Sequence, residues 1–196
     1  MRDSGQLLML MHTGLVRADQ DVDRIYSQLG YNAEQLPLRE LRTPHQLQVF
    51  FWGTVEAVTD DRDIGLTLCP HLPPFRGEVL EYLMFSSPTM EEGCERVRQY
   101  LRLVSDALNV RLVREHGRAR LVISSSPERA PVLRHTEICT AYEIIQFARD
   151  ASEGAFRPIS VRFTYEQRSP LKAYDAVFGC PVAFNAPHCE GDFDPA

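Results

Sequence analysis

The stretch YLMFSSPTMEEGCERVRQYLRLVSD, residues 82–106, decides the fold. From within it, Met90, Cys94, Val97, Leu101 and Val104, followed by Leu108, recur at helical spacing. At 3.6 residues per turn all six fall on one side, with Glu91, Glu92, Glu95, Arg96, Arg98 and Arg102 around the remainder. Ser86 and Ser87 are candidate caps, Pro88 suits the first helical position, and the two leading glutamates complement the positive end of the helix dipole. The stripe predicts a long two-faced helix, a plain core element that carries no chemistry and lies against the rest of the chain.

Upstream, Leu7 to Val16 reads as the start of a first helix, broken near Gly14. Val22, Ile25, Tyr26 and Leu29 share one side of a second, with Gly30 as its stop. After a connecting stretch containing Pro37, Thr43-Pro44-His45-Gln46 reads as a capping box opening a helix to about Val58. Leu47, Phe50, Phe51, Val55 and Val58 are its expected buried face, with Trp52 nearby. Asp60, Asp61 and Asp63 can cap a shorter helix through Ile64, Leu66 and Leu68. The run CPHLPPFR, residues 69–76, is the clearest breaker and reads as an ordered surface loop. Val79, Leu80, Leu83 and Met84 then mark a helix that packs back before the SSPT turn.

The period changes after Ala107. Val110 to Glu115 and Arg118 to Ser124 alternate as the arms of a β-hairpin around His116-Gly117. The residues 136–150 form a second strong helix, with Ile138, Tyr142, Ile145 and Arg149 aligned. Ile159, Val161, Phe163 and Tyr165 alternate as a strand. Leu171, Tyr174 and Phe178 line up on a short helix ended by Gly179 and Pro181, and Val182 to Phe184 can add a short last strand. The expected fold is α+β: a helical first half followed by a small, mostly antiparallel sheet covered by helices. One domain spans 1–196, with a mainly helical part over 1–108 and an α/β part over 109–196.

A hydrophobic fraction of 44% with 24% charged residues is that of a globular protein large enough to bury a core. The net charge of -6 and scattered, glutamate-interleaved arginines argue against a phosphate-neutralising surface, so this stretch by itself is not expected to bind DNA. Five cysteines without repeated spacing favour a reducing, cytoplasmic home over a disulfide framework. No signal peptide or membrane span is expected from the apolar runs.

The chemistry-bearing candidates are weak. Cys69-Pro70-His71 and His188-Cys189 lack the repeated ligand pairs of a structural zinc site, so both read as loop residues and no metal or other cofactor is expected. Cys180 follows a helix carboxyl end, where the dipole disfavours a thiolate, so FGCPV reads as cap, small buried residue and stop. Glu137, Glu143, Asp106 and His135 have no spacing that demands acid–base work, and most fall on expected solvent faces. With no nucleophile elbow, phosphate loop or dinucleotide fingerprint, an enzyme is not expected.

Three segments carry a resemblance: YLMFSSPT at 82–89, YLRLVSD at 100–106 and YDAVFGCPVAF at 174–184. In order and approximate spacing they resemble the amino-terminal effector-sensing domain, usually labelled arabinose-binding-like, of a subgroup of AraC/XylS-type transcription regulators that includes ornithine- and virulence-type members. The resemblance extends from about Gly14 to Asp194. It implies a small-molecule effector, a homodimer, and contact with DNA only through a C-terminal double helix-turn-helix domain that this sequence does not contain. It also implies a pocket between the long helices and the sheet. Tyr82, Tyr100, His135, Tyr142 and Arg162 are the polar-tipped residues expected to reach it, and Arg96 a further one should the effector be a carboxylate. The alternative is a stand-alone ligand- or haem-binding sensor with His135 as axial ligand. A thiol enzyme at Cys180 is a weaker third.

Overall fold

Two periodicities, 3.6 before residue 108 and largely 2 after it, divide the chain into a helical layer and a sheet. The computed structural model describes residues 1–31, 42–75, 78–115, 118–125 and 134–193. The expected connection at Pro37, the hairpin turn at His116-Gly117 and the loop beyond Ser125 lie outside these residues.

The chain opens with a strand, β1 (Arg2–Ser4), paired antiparallel with β2 (Arg42–Pro44). Ser4 caps α1 (Gly5–Arg17) by accepting a hydrogen bond from the Gln6 amide. The helix is not broken at Gly14. That glycine is a contact point, where a Cβ would stand 2.8 Å from Leu72 Cδ2. Asp21 caps α2 (Val22–Gln28) through the Arg24 amide, and Gly30 takes the positive φ of 78° that follows it.

The segment Thr43-Pro44-His45-Gln46 does not cap a helix. Thr43 and Pro44 belong to β2, where a proline is tolerated on a two-stranded edge, and α3 (Leu47–Thr59) starts later with no side-chain cap. Phe51, Trp52 and Val55 are its buried residues, whereas Phe50 is 66% exposed. Asp60 ends α3 in the left-handed conformation. The next helix, α4 (Ile64–Leu68), leads into a 3-10 turn over Cys69–His71. The CPHLPPFR run is therefore less superficial than its prolines suggest: Cys69 and Leu72 are core residues.

The helix α5 (Glu78–Phe85) packs against α6 (Met90–Tyr100), which Thr89 caps through the Glu92 amide, in place of Ser86 or Ser87. The expected continuous stripe is interrupted. A 3-10 turn over Leu101–Leu103 follows α6, and the next residues are drawn out along β1. There the Ser4 amide donates to Val104, the Asp106 amide donates to Arg2, and Asp3 bridges Ser105. Leu108 already belongs to a strand.

The second layer is a five-stranded sheet in the order β3-β4-β7-β5-β6. The hairpin β3 (Leu108–Glu115) and β4 (Arg118–Ser125) holds the alternation read from the sequence. Beside it, β5 (Pro158–Arg162) is antiparallel to β7 (Cys189–Phe193) and parallel to β6 (Val182–Ala183). The last strand is β7, not Val182 to Phe184, and it occupies the centre of the sheet. Its CEGDF sequence hides this because Glu190 and Asp192 occupy buried positions. They are neutralised by Arg120 and Arg162 of the neighbouring strands, with Arg162 Nε 2.6 Å from Glu190 and Arg120 Nε 2.8 Å from Asp192. Between β5 and β6 runs α8 (Leu171–Phe178), ended by Gly179 at φ 72°.

The long α7 (Arg134–Ala151) joins the layers. Its Ile138, Ala141 and Ile145 meet Val161, Phe163, Tyr174 and Phe178 in the main core. The helix α4 crosses it at Gly65, where a Cβ would lie 2.8 Å from His135 Nδ1 and 2.9 Å from its Cα. The backbone contact leaves no flexible neighbour to yield. Gly65→Ala should accordingly destabilise the protein by about 1–3 kcal/mol, the usual cost of overpacking, as a lowered urea midpoint at unchanged slope.

Candidate functional site

Helix α7 has a second face outside the main core, where Ile144 packs against the sheet cluster of Ala119, Leu121 and Phe193. Thr136, Cys139, Thr140, Glu143, Ile144, Phe147 and Ala148 recur at helical spacing and line a cavity of about 1500 Å³. The six stripe residues identified in the sequence, Met90 through Leu108, all line the same space. Of α6 itself only Gly93 is fully buried; its apolar side borders the cavity, while Cys94 and Val97 also pack against neighbouring core clusters. The stripe expected as a plain core face thus serves both a small packed cluster and the cavity wall. Leu7, Leu8 and Met11 of α1, Leu80 and Met84 of α5, and Val110, Leu112 and Leu121 of the hairpin complete the apolar wall. A volume above the usual 300–1000 Å³ of ligand pockets is ample for a small organic molecule.

One polar wall interrupts this surface. The buried Asp3 carboxylate accepts from Ser105 Oγ at 2.5 Å, from His45 Nδ1 at 2.8 Å and from Gln48 Nε2. Gln48 Oε1 accepts from Thr136 Oγ1, which in turn accepts from Trp52 Nε1 at 2.9 Å. The ties thus run from β1 to α3, to α7 and to the segment before β3. With Nδ1–H given to Asp3, the second imidazole nitrogen of His45, Nε2, is buried and has no partner among the described residues. The order Ser–Asp–His, with the carboxylate between, leaves the serine without a base, so this is a structural network and not a nucleophilic triad.

A second carboxyl stands among apolar side chains. Glu143 Oε2 accepts from the Phe75 amide at 2.9 Å, and among the described residues no basic group faces it. Burial pushes it up to about 7, the Phe75 amide opposes this, and Asp150 adds to it; Cys69 and Tyr142 are the other titratable groups near it. Most of Glu137, Glu143, Asp106 and His135 were expected on solvent faces, yet His135 and Glu137 are buried and Glu143 is half-buried. Glu137 Oε1 and Oε2 hold Thr164 through its amide at 2.8 Å and hydroxyl at 2.7 Å, while burial raises its carboxyl. Only Asp106 of that set is open to solvent.

Among the six residues expected at a pocket, Arg96 lines the cavity, at its α6 edge, where it faces Glu92 at 3.7 Å. Tyr82 and Tyr100 are exposed at 71% and 45% and lie off the cavity. Tyr142 packs edge-on against Phe178 on the core side of α7. Arg162 is held across the sheet by Glu190 and Asp192. His135 has both nitrogens occupied: Nδ1 accepts from the Gly65 amide at 3.1 Å, so Nε2–H donates to Glu56 at 2.5 Å. That arrangement, with burial lowering its pKa, leaves no lone pair for an axial ligand. Burial likewise pushes the Cys180 thiol up to about 11, away from a nucleophile's range. Among the described residues no group of three or more His, Cys, Asp or Glu is placed to hold a metal ion, and no helix is long and apolar enough to cross a membrane. The residues missed were Asp3, His45, Gln48 and Glu143. Only Glu143 carried a usable signal, a carboxylate in helical register with Cys139, Ile144 and Phe147.

Two measurements test this geometry. Asp3→Ala leaves buried donors unpaired and should destabilise the protein by about 2–4 kcal/mol in urea unfolding. Glu143 binds its proton more tightly folded than unfolded, so its contribution to stability declines as pH rises from 4.5 to about 7. Glu143→Gln should therefore match the parent below about pH 4 and exceed it in stability near pH 8.

Residues 20–196 match the family described as the N-terminal arabinose-binding domain of AraC transcription regulators. The fold resembles the crystal structure of the transcriptional regulator CdpR from Pseudomonas aeruginosa, with a TM-score of 0.58 and 16% identity, over 89% of this chain and 53% of that one. The chain thus spans about half the length of that regulator's chain. No curated protein is matched in sequence. The order of the YLMFSSPT, YLRLVSD and YDAVFGCPVAF segments and the extent of the match place the chain in the family of arabinose-binding domains of AraC-type transcription regulators.

Proposed function

We propose that this domain senses a small molecule in the cavity and relays its occupancy to a DNA-binding domain of the whole regulator. The observation that carries this reading is the cavity itself: apolar faces of α1, α5, α6 and α7 and of the hairpin converge without filling the space between them. Occupancy alters which arrangement of these helices is favoured, and a ligand shifts that balance only by its difference in affinity for the two arrangements. The domain also provides the contacts of a homodimer. It acts in the cytoplasm, without catalysis, and reaches DNA through the partner domain alone.

Val97, midway along α6, lines the cavity and is partly open to it. Val97→Trp fills space there without touching the main core. Thermal shifts recorded against a library of bacterial metabolites test the reading. Compounds that raise the Tm of the parent domain by a few degrees should leave Val97→Trp, itself folded and at least as stable, unmoved. Equal shifts in both proteins would locate binding elsewhere.

A further inference from the structure

We infer that the cavity takes a cationic effector, a protonated amine or guanidinium on an apolar body, with Glu143 as its counter-ion. This rests on the sensing reading above and specifies the chemistry that the site selects. The argument is one of unmet partners. An apolar molecule needs only the apolar wall, but a half-buried carboxyl with no counter-charge among the described residues is costly to ionise unless something neutralises it. Every other acid of the site has its partners within the protein. Asp3 accepts from Ser105, His45 and Gln48. Glu92 faces Arg96, Glu95 binds Arg98 at 2.6 Å, and Glu91 meets Arg114 at 3.0 Å.

Glu143 has only the Phe75 amide on Oε2; its Oε1 accepts nothing among the described residues. A cation beside it would favour the charged form that burial now opposes. His45 points the same way. With Nδ1–H donated to Asp3, Nε2 of that tautomer is a buried acceptor with no partner among the described residues, and His45 lines the same cavity. Both unmet groups call for donors, and an ammonium or guanidinium carries several. A carboxylate effector fits less well. Arg96 already faces Glu92, and a second anion inside the cavity would add to the charge of Glu143.

The experiment uses three probes with one apolar body: 3-phenylpropylamine, 3-phenylpropanol and 3-phenylpropanoate, titrated calorimetrically into the intact domain at neutral pH. The amine should bind at least about 10-fold more tightly than the alcohol, the range of a charge-assisted hydrogen bond, and the carboxylate most weakly. In Glu143→Gln, which keeps the Phe75 contact, the preference for amine over alcohol should fall below about 2-fold. Alcohol and carboxylate binding that Val97→Trp abolishes, without preference for the amine, would overturn the cationic assignment and leave the sensing cavity standing. An amine preference that survives Glu143→Gln would overturn the role of Glu143. Binding of none of the three would count against the cavity as a small-molecule site, and so against both readings.

Discussion

The walls of the cavity are tied together most densely at one group, the Asp3 carboxylate. Three donors from different parts of the chain converge on it, and the Gln48–Thr136–Trp52 relay extends the tie to α7. A buried charge with this many donors is tolerated, and it fixes the relative positions of β1, α3 and the segment before β3. Around it the apolar faces can stay apart. Hydrophobic burial is obtained instead in the main core, where Val161, Phe163, Tyr174 and Phe178 close against the opposite side of α7.

This division of labour makes α7 the structural centre. One of its faces is committed to the core and the other borders the cavity, so a displacement of the helix would bear on the sheet through Ile138 and Ile145. The close approach of Gly65 to His135, and the Glu56–His135–Gly65 hydrogen bonds, hold the amino-terminal end of α7 firmly to α3 and α4. Its middle and carboxyl-terminal turns border the cavity through Glu143 and Phe147, while Phe147 also meets Phe85 of α5 edge-on and Ile144 packs on the sheet. A helix anchored at one end and bordering a cavity along one side is a suitable element for relaying occupancy.

Much of this was legible in the sequence. The α6 stripe, the hairpin, the alternation through Val161 and Phe163 and the Gly179 stop all appear where local periodicity and cap chemistry place them. What was not legible depends on contacts distant in sequence. Leu101 to Asp106 continues the apolar pattern of α6 but turns out of the helix because β1, a hundred residues earlier, pairs with it. Strand β7 looks like a loop until Arg120 and Arg162 are seen neutralising Glu190 and Asp192. The polar wall was equally hidden, since Asp3, His45 and Ser105 have no common spacing. Periodicity also cannot show that an apolar face which packs borders a cavity as well, so that second role of the stripe was hidden.

The most direct test of the central claim, that the cavity is a ligand site, is native mass spectrometry of the purified domain beside a denatured control, before and after incubation with a bacterial metabolite extract. The account predicts extra mass of small-molecule size on the native protein that is lost on denaturation. A bare mass under every condition would contradict it.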